Sequence, residues 1–283
     1  MKKHLTTMLL LIVFLVGLSV LLYPTVSNYW NSMIQSRVMV DYNDKINHIS
    51  NEEYARLLEQ ADAYNQRLPK KPDRFKPTPE ELAEYDSILN IDAGGVMAIL
   101  QIPKLGVNLP VYHGTDAAVL QMGLGHLEGS SFPVGGPGTH AAVTGHRGLP
   151  SAELLTKLDR MAAGDRFEIA VLGELLTYEV DRIDVVLPDD MSELGIEPGQ
   201  DYCTLVTCTP YGINDHRLLV RGRRVQNEMR ALNVRVSADA AAVDTSQAKT
   251  VVTALMTVVF MIYVLIKYKK YRNLTKNYSI KRS

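Results

Sequence analysis

Two uninterrupted apolar stretches lie near the ends of the chain, at residues 5–23 and 250–266. Each is close to the length of roughly 20 residues that a helix needs to cross the hydrocarbon core of a membrane. A cleaved signal peptide is the alternative for the first stretch. That stretch is longer than the usual apolar region of about 7 to 15 residues, and no clear small-x-small cleavage site follows it, which favours an uncleaved anchor. The pattern therefore predicts two transmembrane helices that flank residues 24–249.

Residues 24–92 carry helical patterns that are interrupted by one breaker-rich loop. A capping box precedes apolar residues that recur at helical spacing over residues 51–67. Residues 68–79 (LPKKPDRFKPTP) contain four prolines, too many for regular structure, so they are expected to form a loop. Thr78 and Pro79 begin a second short helix. The segment is therefore predicted to be a peripheral helical region.

From residue 95 onward, apolar and polar residues alternate with a period of two, and β-branched residues become common. The predicted strands are residues 96–102, 108–113, 166–171, 175–186, 202–208 and 217–225, with short helices at residues 116–122 and 151–159. Many short strands at this spacing predict a mainly β domain over residues 93–225, either a closed β-barrel or a sandwich with short helices. Residues 226–249 are polar and alanine-rich, which is typical of a stalk between a domain and a membrane.

The charges are divided unevenly along the chain. All 31 acidic residues lie between positions 24 and 249, together with only 21 of the 30 basic residues, so this segment has a net charge of −10. Residues 1–4 and 267–283 contain basic residues and no acidic ones. Basic flanks mark the cytoplasmic side of membrane helices. We therefore expect both termini in the cytoplasm and the domain between them on the outer face of the membrane, with no nucleic-acid partner.

The two cysteines, Cys203 and Cys208, lie in the strand-like run DYCTLVTCTP. Five strand residues span about 16 Å, whereas a disulfide needs Cα atoms within about 7 Å. The odd offset also points the two side chains to opposite faces of the sheet. Cys203 is interpreted as a small buried residue. Cys208 ends the run beside the turn TPYG, where a side chain at the rim of a sheet can meet a substrate.

Arg217 and one histidine are candidate partners of Cys208. A hairpin loop of about eight residues returns the chain to the sheet, so Arg217 is expected alongside Cys208 on the neighbouring strand. A guanidinium there can favour a thiolate or hold an oxyanion, whereas a surface ion pair is the alternative role. The candidate proton carriers are His113, His126, His140, His146 and His216. His146 is distinguished because it follows a short apolar run and lies in a glycine-bounded loop. Any of the other histidines can instead be a hydrogen-bonded structural residue.

Two blocks of sequence resemble the sortases, and more narrowly the class C group that assembles pili. They are TGHRGLPSAELLTKLD at residues 144–159 and TLVTCTPYGINDHRLLVRG at residues 204–222. The similarity extends over roughly residues 28–225 and includes the second membrane helix. The resemblance implies an eight-stranded sortase-type β-barrel and assigns His146, Cys208 and Arg217 as the catalytic set. No cofactor and no metal are implied.

The proline-rich loop is similar to the lid of class C sortases, which carries an Asp-Pro-aromatic motif. The corresponding lid residues are Asp73 and Phe75, and Arg74 replaces the proline. The resemblance implies that Asp73 pairs with Arg217 while Phe75 covers the thiol. Because arginine gives a looser backbone than proline, a less rigid lid is expected. A solvated loop that does not dock is the alternative.

The resemblance implies a cysteine transpeptidase. Cys208 is expected to attack the Thr-Gly bond of a Leu-Pro-x-Thr-Gly-type sorting signal on a pilin or surface protein, and His146 to protonate the departing amine. A lysine side chain of another pilin is the implied acceptor. The alternatives are a cell-wall-anchoring sortase with a peptidoglycan amine as acceptor, a non-enzymatic membrane-tethered binding barrel, and a metallohydrolase built on His126, His140 and His146. The metallohydrolase is disfavoured because the chain has no His-Glu-x-x-His pattern.

Overall fold

The computed structural model describes residues 2–91, 94–227 and 267. The α-helices in the first two ranges are α1 Lys2–His48, α2 Asn51–Arg67, α3 Pro79–Ser87 and α4 Ala117–Met122. Short 3-10 helices lie at Leu68–Lys70, Pro103–Leu105, Leu158–Arg160 and Ser192–Leu194. The helix predicted over residues 51–67 is confirmed as α2. Ser50 Oγ accepts a hydrogen bond from the Glu53 N–H at 3.1 Å and thereby caps its first turn.

Helix α1 runs through the predicted anchor at residues 5–23 and continues to His48. Over the part of the chain that the structure describes, it is the one helix long and apolar enough to cross a membrane, and its apolar window has a mean hydropathy of 2.5. The chain divides into two compact units, and the division falls after Tyr29 in this helix. The predicted second transmembrane helix, with most of the stalk and tail, falls in residues 228–283, which lie outside the described residues apart from Lys267.

Within residues 94–227 the sheet closes into a barrel of eight strands. They are β1 Val96–Ile102, β2 Val107–His113, β3 Leu124–His126, β4 Thr139–Thr144, β5 Arg166–Val171, β6 Glu174–Val186, β7 Asp201–Thr209 and β8 His216–Val225. Their order around the barrel is β1, β2, β3, β4, β7, β8, β6, β5, with parallel pairing between β2 and β3 and between β4 and β7. The predicted eight-stranded barrel is therefore confirmed, and closure leaves no unpaired edge.

Strands β3 and β4 were not among the predicted strands, whereas the six that were predicted lie within one residue of their expected ends. β3 has only three residues, too few for an alternation to be recognised. Five of the six residues of β4 are buried, so the strand is covered on both faces, and its sequence THAAVT shows no alternation of apolar and polar residues. Both strands were missed because period two is visible only in longer strands with one solvent-exposed face.

The helix predicted at residues 151–159 is wrong. The segment consists of turns that lead into the 3-10 helix Leu158–Arg160. Leu154 has a φ of 35°, a left-handed conformation that an α-helix does not admit. The Leu155 N–H donates to the His146 carbonyl at 3.3 Å rather than to a carbonyl within its own segment. Contacts with the loop after β4 therefore override the local helical pattern.

The helical region and the barrel share one hydrophobic core. α2 contributes Leu57 and Ala61 to this core, and α3 contributes Tyr85. Asn65 ties α2 to the barrel, because its Nδ2 donates to the Phe132 carbonyl at 3.1 Å and its Oδ1 accepts from the Phe132 N–H at 2.7 Å. The region that was expected to be peripheral is thus packed on the barrel, and it holds both ends of the proline-rich loop.

Candidate active site

Cys203 and Cys208 are free thiols with different surroundings on β7. Cys203 is fully buried in the barrel core, and burial raises the pKa of its thiol. Such a thiol is a poor nucleophile because the thiolate is the reactive form. Cys208 is half-buried at the penultimate position of β7. The odd spacing places it on the opposite face, so Cys208 is the thiol that a substrate can reach.

Arg217 lies directly across from Cys208 in the antiparallel pair of β7 and β8. Side chains at directly opposed positions have Cβ atoms about 5 Å apart. Nη1 of Arg217 donates to the carbonyls of Asn214 at 3.3 Å and His216 at 3.0 Å. The short loop between the strands therefore holds the guanidinium at the same end of the strand pair as the thiol.

His146 follows β4, which is the parallel neighbour of β7. Two hydrogen bonds join the residue before it to β7. The Gly145 N–H donates to the Val206 carbonyl at 3.1 Å, and Thr207 Oγ1 donates to the Gly145 carbonyl at 2.8 Å. Continued past the end of the β4–β7 ladder, this register would set His146 opposite Cys208. The barrel thus gathers three predicted residues, separated by up to 71 positions, at one end of β4, β7 and β8.

Two of the remaining histidines are buried and hydrogen-bonded. Nδ1 of His126 lies 2.9 Å from Tyr85 Oη, and its Nε2 lies 2.8 Å from the Ser131 carbonyl. Nε2 of His140 lies 2.7 Å from Thr204 Oγ1. Burial lowers the pKa of both imidazoles to about 4. Across residues 2–91 and 94–227, no group of three His, Cys, Asp or Glu side chains is placed to hold a metal ion.

The other two candidate histidines also have partners. The ring nitrogens of His113 lie 3.0 Å from the Gly95 carbonyl and 2.6 Å from the Ile88 carbonyl. These contacts join the end of α3 to the start of β1. Nδ1 of His216 lies 2.8 Å from Asp215 Oδ1, in the loop that also holds the Arg217 guanidinium. His146 remains the predicted proton carrier, because its loop continues β4, the parallel neighbour of the strand that carries Cys208.

The predicted lid lies against the sheet through Phe75. Its ring packs on a small apolar cluster formed by β4, β8 and the connection between β6 and β7. The cluster comprises Ala142, Leu194 and Leu219, and Val206 also packs against it. Val206 precedes Cys208 by two residues on β7, so it lies on the same face and about 7 Å along the strand. Phe75 therefore packs against the same apolar cluster as Val206, which lies two residues before Cys208.

Arg74 fastens this loop to two parts of the barrel. Its Nη1 donates to the Gly129 carbonyl at 2.9 Å, and its Nη2 donates to the Leu194 carbonyl at 2.5 Å. The guanidinium also lies over the Phe75 ring, 4.3 Å from the ring centroid. Gly129 allows this approach, because a Cβ there would lie 2.0 Å from the Arg74 carbonyl oxygen. The expectation of a looser lid considered the backbone alone, whereas the arginine side chain adds contacts that proline lacks.

Asp73 does not make its predicted ion pair. Its side chain is exposed, and its carbonyl accepts a hydrogen bond from the Lys76 N–H at 2.9 Å, which closes a turn in the loop. Within the two long described ranges, no ion pair joins Asp73 to Arg217, whose guanidinium donates to loop carbonyls instead. Asp73 therefore shapes the loop, while Arg74 and Phe75 attach it to the sheet.

Arg147 was not among the predicted site residues, although it directly follows His146. Its side chain is only 8% exposed. Nη1 donates to Thr209 Oγ1 at 3.0 Å, and Nη2 pairs with Asp159 Oδ2 at 2.5 Å. The block at residues 144–159 contains both Arg147 and Asp159, but only the fold shows that Thr209 contacts Arg147.

The arrangement has the parts of an acyl-transfer site. A thiol next to an imidazole suits nucleophilic attack on a carbonyl with proton transfer to the leaving group. A guanidinium across the strand pair is suited to hold a substrate carbonyl or the developing oxyanion. A closed β-barrel with these three groups at one rim defines a class of cysteine-dependent acyl-transfer enzymes.

Comparisons with known proteins agree with this class. A protein-family model described as "Sortase domain" matches residues 100–225. The crystal structure of sortase C1 from Streptococcus agalactiae is 47% identical with a TM-score of 0.66, covering 68% of this chain and 100% of that chain. Sortase C from Streptococcus pneumoniae is 39% identical with a TM-score of 0.60, covering 68% and 97%. Sortase C from Clostridium perfringens, in a structure with the C-terminal cell wall sorting motif, is 39% identical with a TM-score of 0.61, covering 68% and 100%.

The chain therefore belongs to the sortase family of cysteine transpeptidases. Class C sortases are among its structural relatives. The segment that matches the family model contains His146, Cys208 and Arg217, together with seven complete strands of the barrel.

Proposed function

We propose that this protein is a class C sortase that polymerises pili. It cleaves the Thr-Gly bond of a Leu-Pro-x-Thr-Gly-type sorting signal and joins the acyl group to a lysine amine of another pilin. The pairing of Cys208 with Arg217 across β7 and β8, with His146 beside them, carries the proposal. Similarity to class C sortases supports the class, and the Clostridium perfringens structure with a sorting motif supports the substrate type.

In the first half-reaction, the thiolate of Cys208 attacks the carbonyl carbon of the threonine in the sorting signal. A carbon–sulfur bond forms, the carbon–nitrogen bond to glycine breaks, and the amine leaves with a proton from the imidazolium of His146. Arg217 lies across from the thiol, where its guanidinium can stabilise the oxyanion. A substrate carbonyl then competes with the loop carbonyls that Nη1 of Arg217 contacts at 3.0 and 3.3 Å.

In the second half-reaction, a lysine amine attacks the thioester carbonyl. The imidazole of His146 takes a proton from the attacking amine, an isopeptide bond forms, and the carbon–sulfur bond breaks. The cycle returns Cys208 to thiolate and His146 to imidazolium. The two half-reactions thus exchange one amine for another at the same acyl group.

The proline-rich loop controls access to this site. Phe75 covers the sheet beside Cys208, and Arg74 fastens the loop to Gly129 and Leu194. A sorting signal that approaches Cys208 along β7 must displace Phe75. Because only molecules with an open loop can bind, the closed fraction lowers the apparent activity. This supports an enzyme that stays partly inhibited until substrate or a partner opens the loop.

We further infer that the enzyme is anchored in a bacterial membrane with its barrel on the outer face. The apolar part of α1 supports the first anchor at residues 5–23. The apolar stretch at residues 250–266 supplies the second, and the basic residues after it favour a cytoplasmic C-terminus. An anchor at each end keeps the site near membrane-bound substrates.

The test incubates the full-length protein, in detergent, with purified candidate shaft pilins. Covalent ladders that survive reductant on a denaturing gel are expected, with an isopeptide bond to lysine by mass spectrometry. Cys208→Ala should yield no ladder, and Cys203→Ala is the matched control. If the acyl group is transferred only to a glycine peptide that mimics a peptidoglycan cross-bridge, the proposed function is wrong and the protein is instead a cell-wall-anchoring sortase. Failure to react with any sorting signal or amine would favour the non-enzymatic barrel.

A further inference from the structure

We propose that Arg147 is a positioning residue that sets the spacing between His146 and Cys208. The inference rests on the roles proposed for those two residues in the transpeptidation. Arg147 joins the loop that carries the histidine to the strand that carries the cysteine, and its partner on that strand is Thr209. It acts through these neighbours and has no direct part in the chemistry.

The contacts of Arg147 complete a bracket around the candidate pair. On one side, Gly145 is hydrogen-bonded to Val206 and Thr207, the residues that precede Cys208. On the other side, Arg147 Nη1 donates to Thr209 Oγ1 at 3.0 Å. His146 and Cys208 therefore each lie between two residues that are joined across the gap.

This second connection is needed because the ladder between β4 and β7 ends before the histidine. β4 ends at Thr144, and its last paired partner on β7 is Val206. Leu155 and Thr156 also hold this loop, through the His146 carbonyl at 3.3 Å and the Gly148 N–H at 3.1 Å, but neither residue lies on β7. Beyond Gly145, the Arg147 contact is the hydrogen bond in the described residues that ties the loop to the end of β7. A shift of about 1 Å in a reacting group is enough to cost on the order of 100-fold in rate.

The burial of Arg147 is not explained by a gain in the free energy of folding. The Arg147 side chain is only 8% exposed, whereas its partner Asp159 is 48% exposed. In the described part of the chain, Nε of Arg147 is buried without a hydrogen-bond partner. A buried donor that lacks a partner costs free energy. A planar fork that reaches Thr209 with one nitrogen and Asp159 with another instead fixes geometry in two directions.

The role predicts a specific kinetic signature. Arg147 is largely covered, so its replacement should leave substrate binding unchanged. Misplacement of the imidazole relative to the thiol should instead slow both proton transfer and attack. We therefore expect a fall in kcat with little change in KM, because the lost interaction serves the transition state and not the bound substrate.

The experiment measures kcat and KM of the full-length protein in detergent with a fluorogenic sorting-signal peptide. In Arg147→Lys one ammonium cannot contact Thr209 and Asp159 as a fork does, and in Thr209→Val the acceptor hydroxyl is lost at nearly constant size. Each should lower kcat by about 10-fold to 100-fold while KM stays within about twofold. Arg166→Ala is the control, because it removes an exposed arginine that pairs with Glu179 at 3.1 Å between β5 and β6.

Cys203 reports whether each variant is folded. Its buried thiol should resist iodoacetamide in an intact barrel, and its alkylation, read by mass spectrometry, marks unfolding. Should Arg147→Lys expose Cys203, the milder Thr209→Val decides the outcome. A wild-type kcat in folded Thr209→Val, or a rise in KM at unchanged kcat, would overturn the positioning role. Activity that persists in Cys208→Ala would instead overturn the proposed function itself.

Discussion

Two parts of the candidate site lie on the same face of the barrel but are held in place differently: the strand pair of β7 and β8, and the proline-rich loop. A continuous ladder of paired residues, from Tyr202 opposite Arg223 to Thr209 opposite His216, fixes the register of the two strands. The loop has no such ladder and is attached through the ring of Phe75 and the two hydrogen bonds of the Arg74 guanidinium. A slip of one residue in the ladder would turn every side chain to the other face, so its register is strongly specified. The loop can detach with the loss of only a few contacts.

The reacting residues and the loop that limits substrate access to them are therefore held with different strengths. Two hydrogen bonds from the charged Arg74 guanidinium to the barrel contribute about 0.5 to 3 kcal/mol each, whereas its stacking on Phe75 lies within the loop. A few kcal/mol favour the closed loop but remain within the range that a bound substrate can overcome. The rigid part of the site therefore holds the reacting groups, and a weakly attached part governs when they are reached.

The largest expected effect is at the two cysteines of β7. Cys208→Ala should abolish peptide cleavage and pilin transfer, because the only half-buried thiol on the site face is removed. Cys203→Ala should retain most activity and lose about 1 to 2 kcal/mol of stability through the small core cavity. Cleavage assays and thermal unfolding measure both. Equal inactivation by Cys203→Ala, with an unchanged circular dichroism spectrum, would contradict the assignment of faces.

A smaller loss is expected when the guanidinium at position 217 becomes an ammonium. Arg217→Lys should lower kcat by about 100-fold, the scale of losing one oxyanion donor, although the charge is kept. Arg223→Lys is the matched control, because Arg223 is exposed on the same strand and face at the far end of the ladder. A lysine variant at position 217 with a near wild-type rate would show that charge alone suffices.

The loop should respond in the opposite direction, with a gain. Arg74→Ala should raise the rate of Cys208 alkylation by about 10-fold, since two hydrogen bonds that favour the closed loop are lost. Arg74→Pro should also raise it, because a stiffer backbone does not replace the contacts to Gly129 and Leu194. Lys76→Ala, an exposed change in the same loop, is the control. A slower alkylation rate in Arg74→Pro would show that backbone stiffness, and not the side-chain contacts of Arg74, controls how often the loop opens.

The smallest effect is expected at Asp73. Its exposed side chain is not paired with Arg217, so Asp73→Ala should change the alkylation rate by less than about twofold. The measurement is the same iodoacetamide reaction, read at Cys208. If Asp73→Ala raises the alkylation rate as much as Arg74→Ala does, Asp73 pairs with Arg217 in solution. Asp73 would then hold the loop closed as strongly as Arg74.

The strand pair could be predicted from the chain because its determinants are local. Alternation defines β7 and β8 to within one residue, and the short hairpin between them places Arg217 across from Cys208. The parity of the strand likewise separates Cys203 from Cys208. These features follow from period two and a turn, which neighbouring residues encode by themselves.

The contacts of the loop and of Arg147 could not be predicted in this way. Arg74 bonds to carbonyls 55 and 120 positions away, and Arg147 reaches a hydroxyl 62 positions away. No local pattern specifies which distant backbone group a long side chain will meet. The wrong helix at residues 151–159 has the same origin, since its residues bond to the loop after β4. Tertiary contacts override propensity at these positions.

The strand order also determines when the protein can first become active. β4 and β7 are neighbours although the hairpin of β5 and β6 lies between them in the sequence, and β8 lies between β7 and β6 in the barrel. Such long-range pairings form slowly, because the entropy of closing large loops is lost before the contacts reward it. The local hairpin of β7 and β8 pairs Cys208 with Arg217, whereas the loop that carries His146 is brought to them only by the long-range pairing of β4 with β7. Reactivity at Cys208 beyond that of an ordinary thiol is therefore a signal that the newly made chain has closed its barrel.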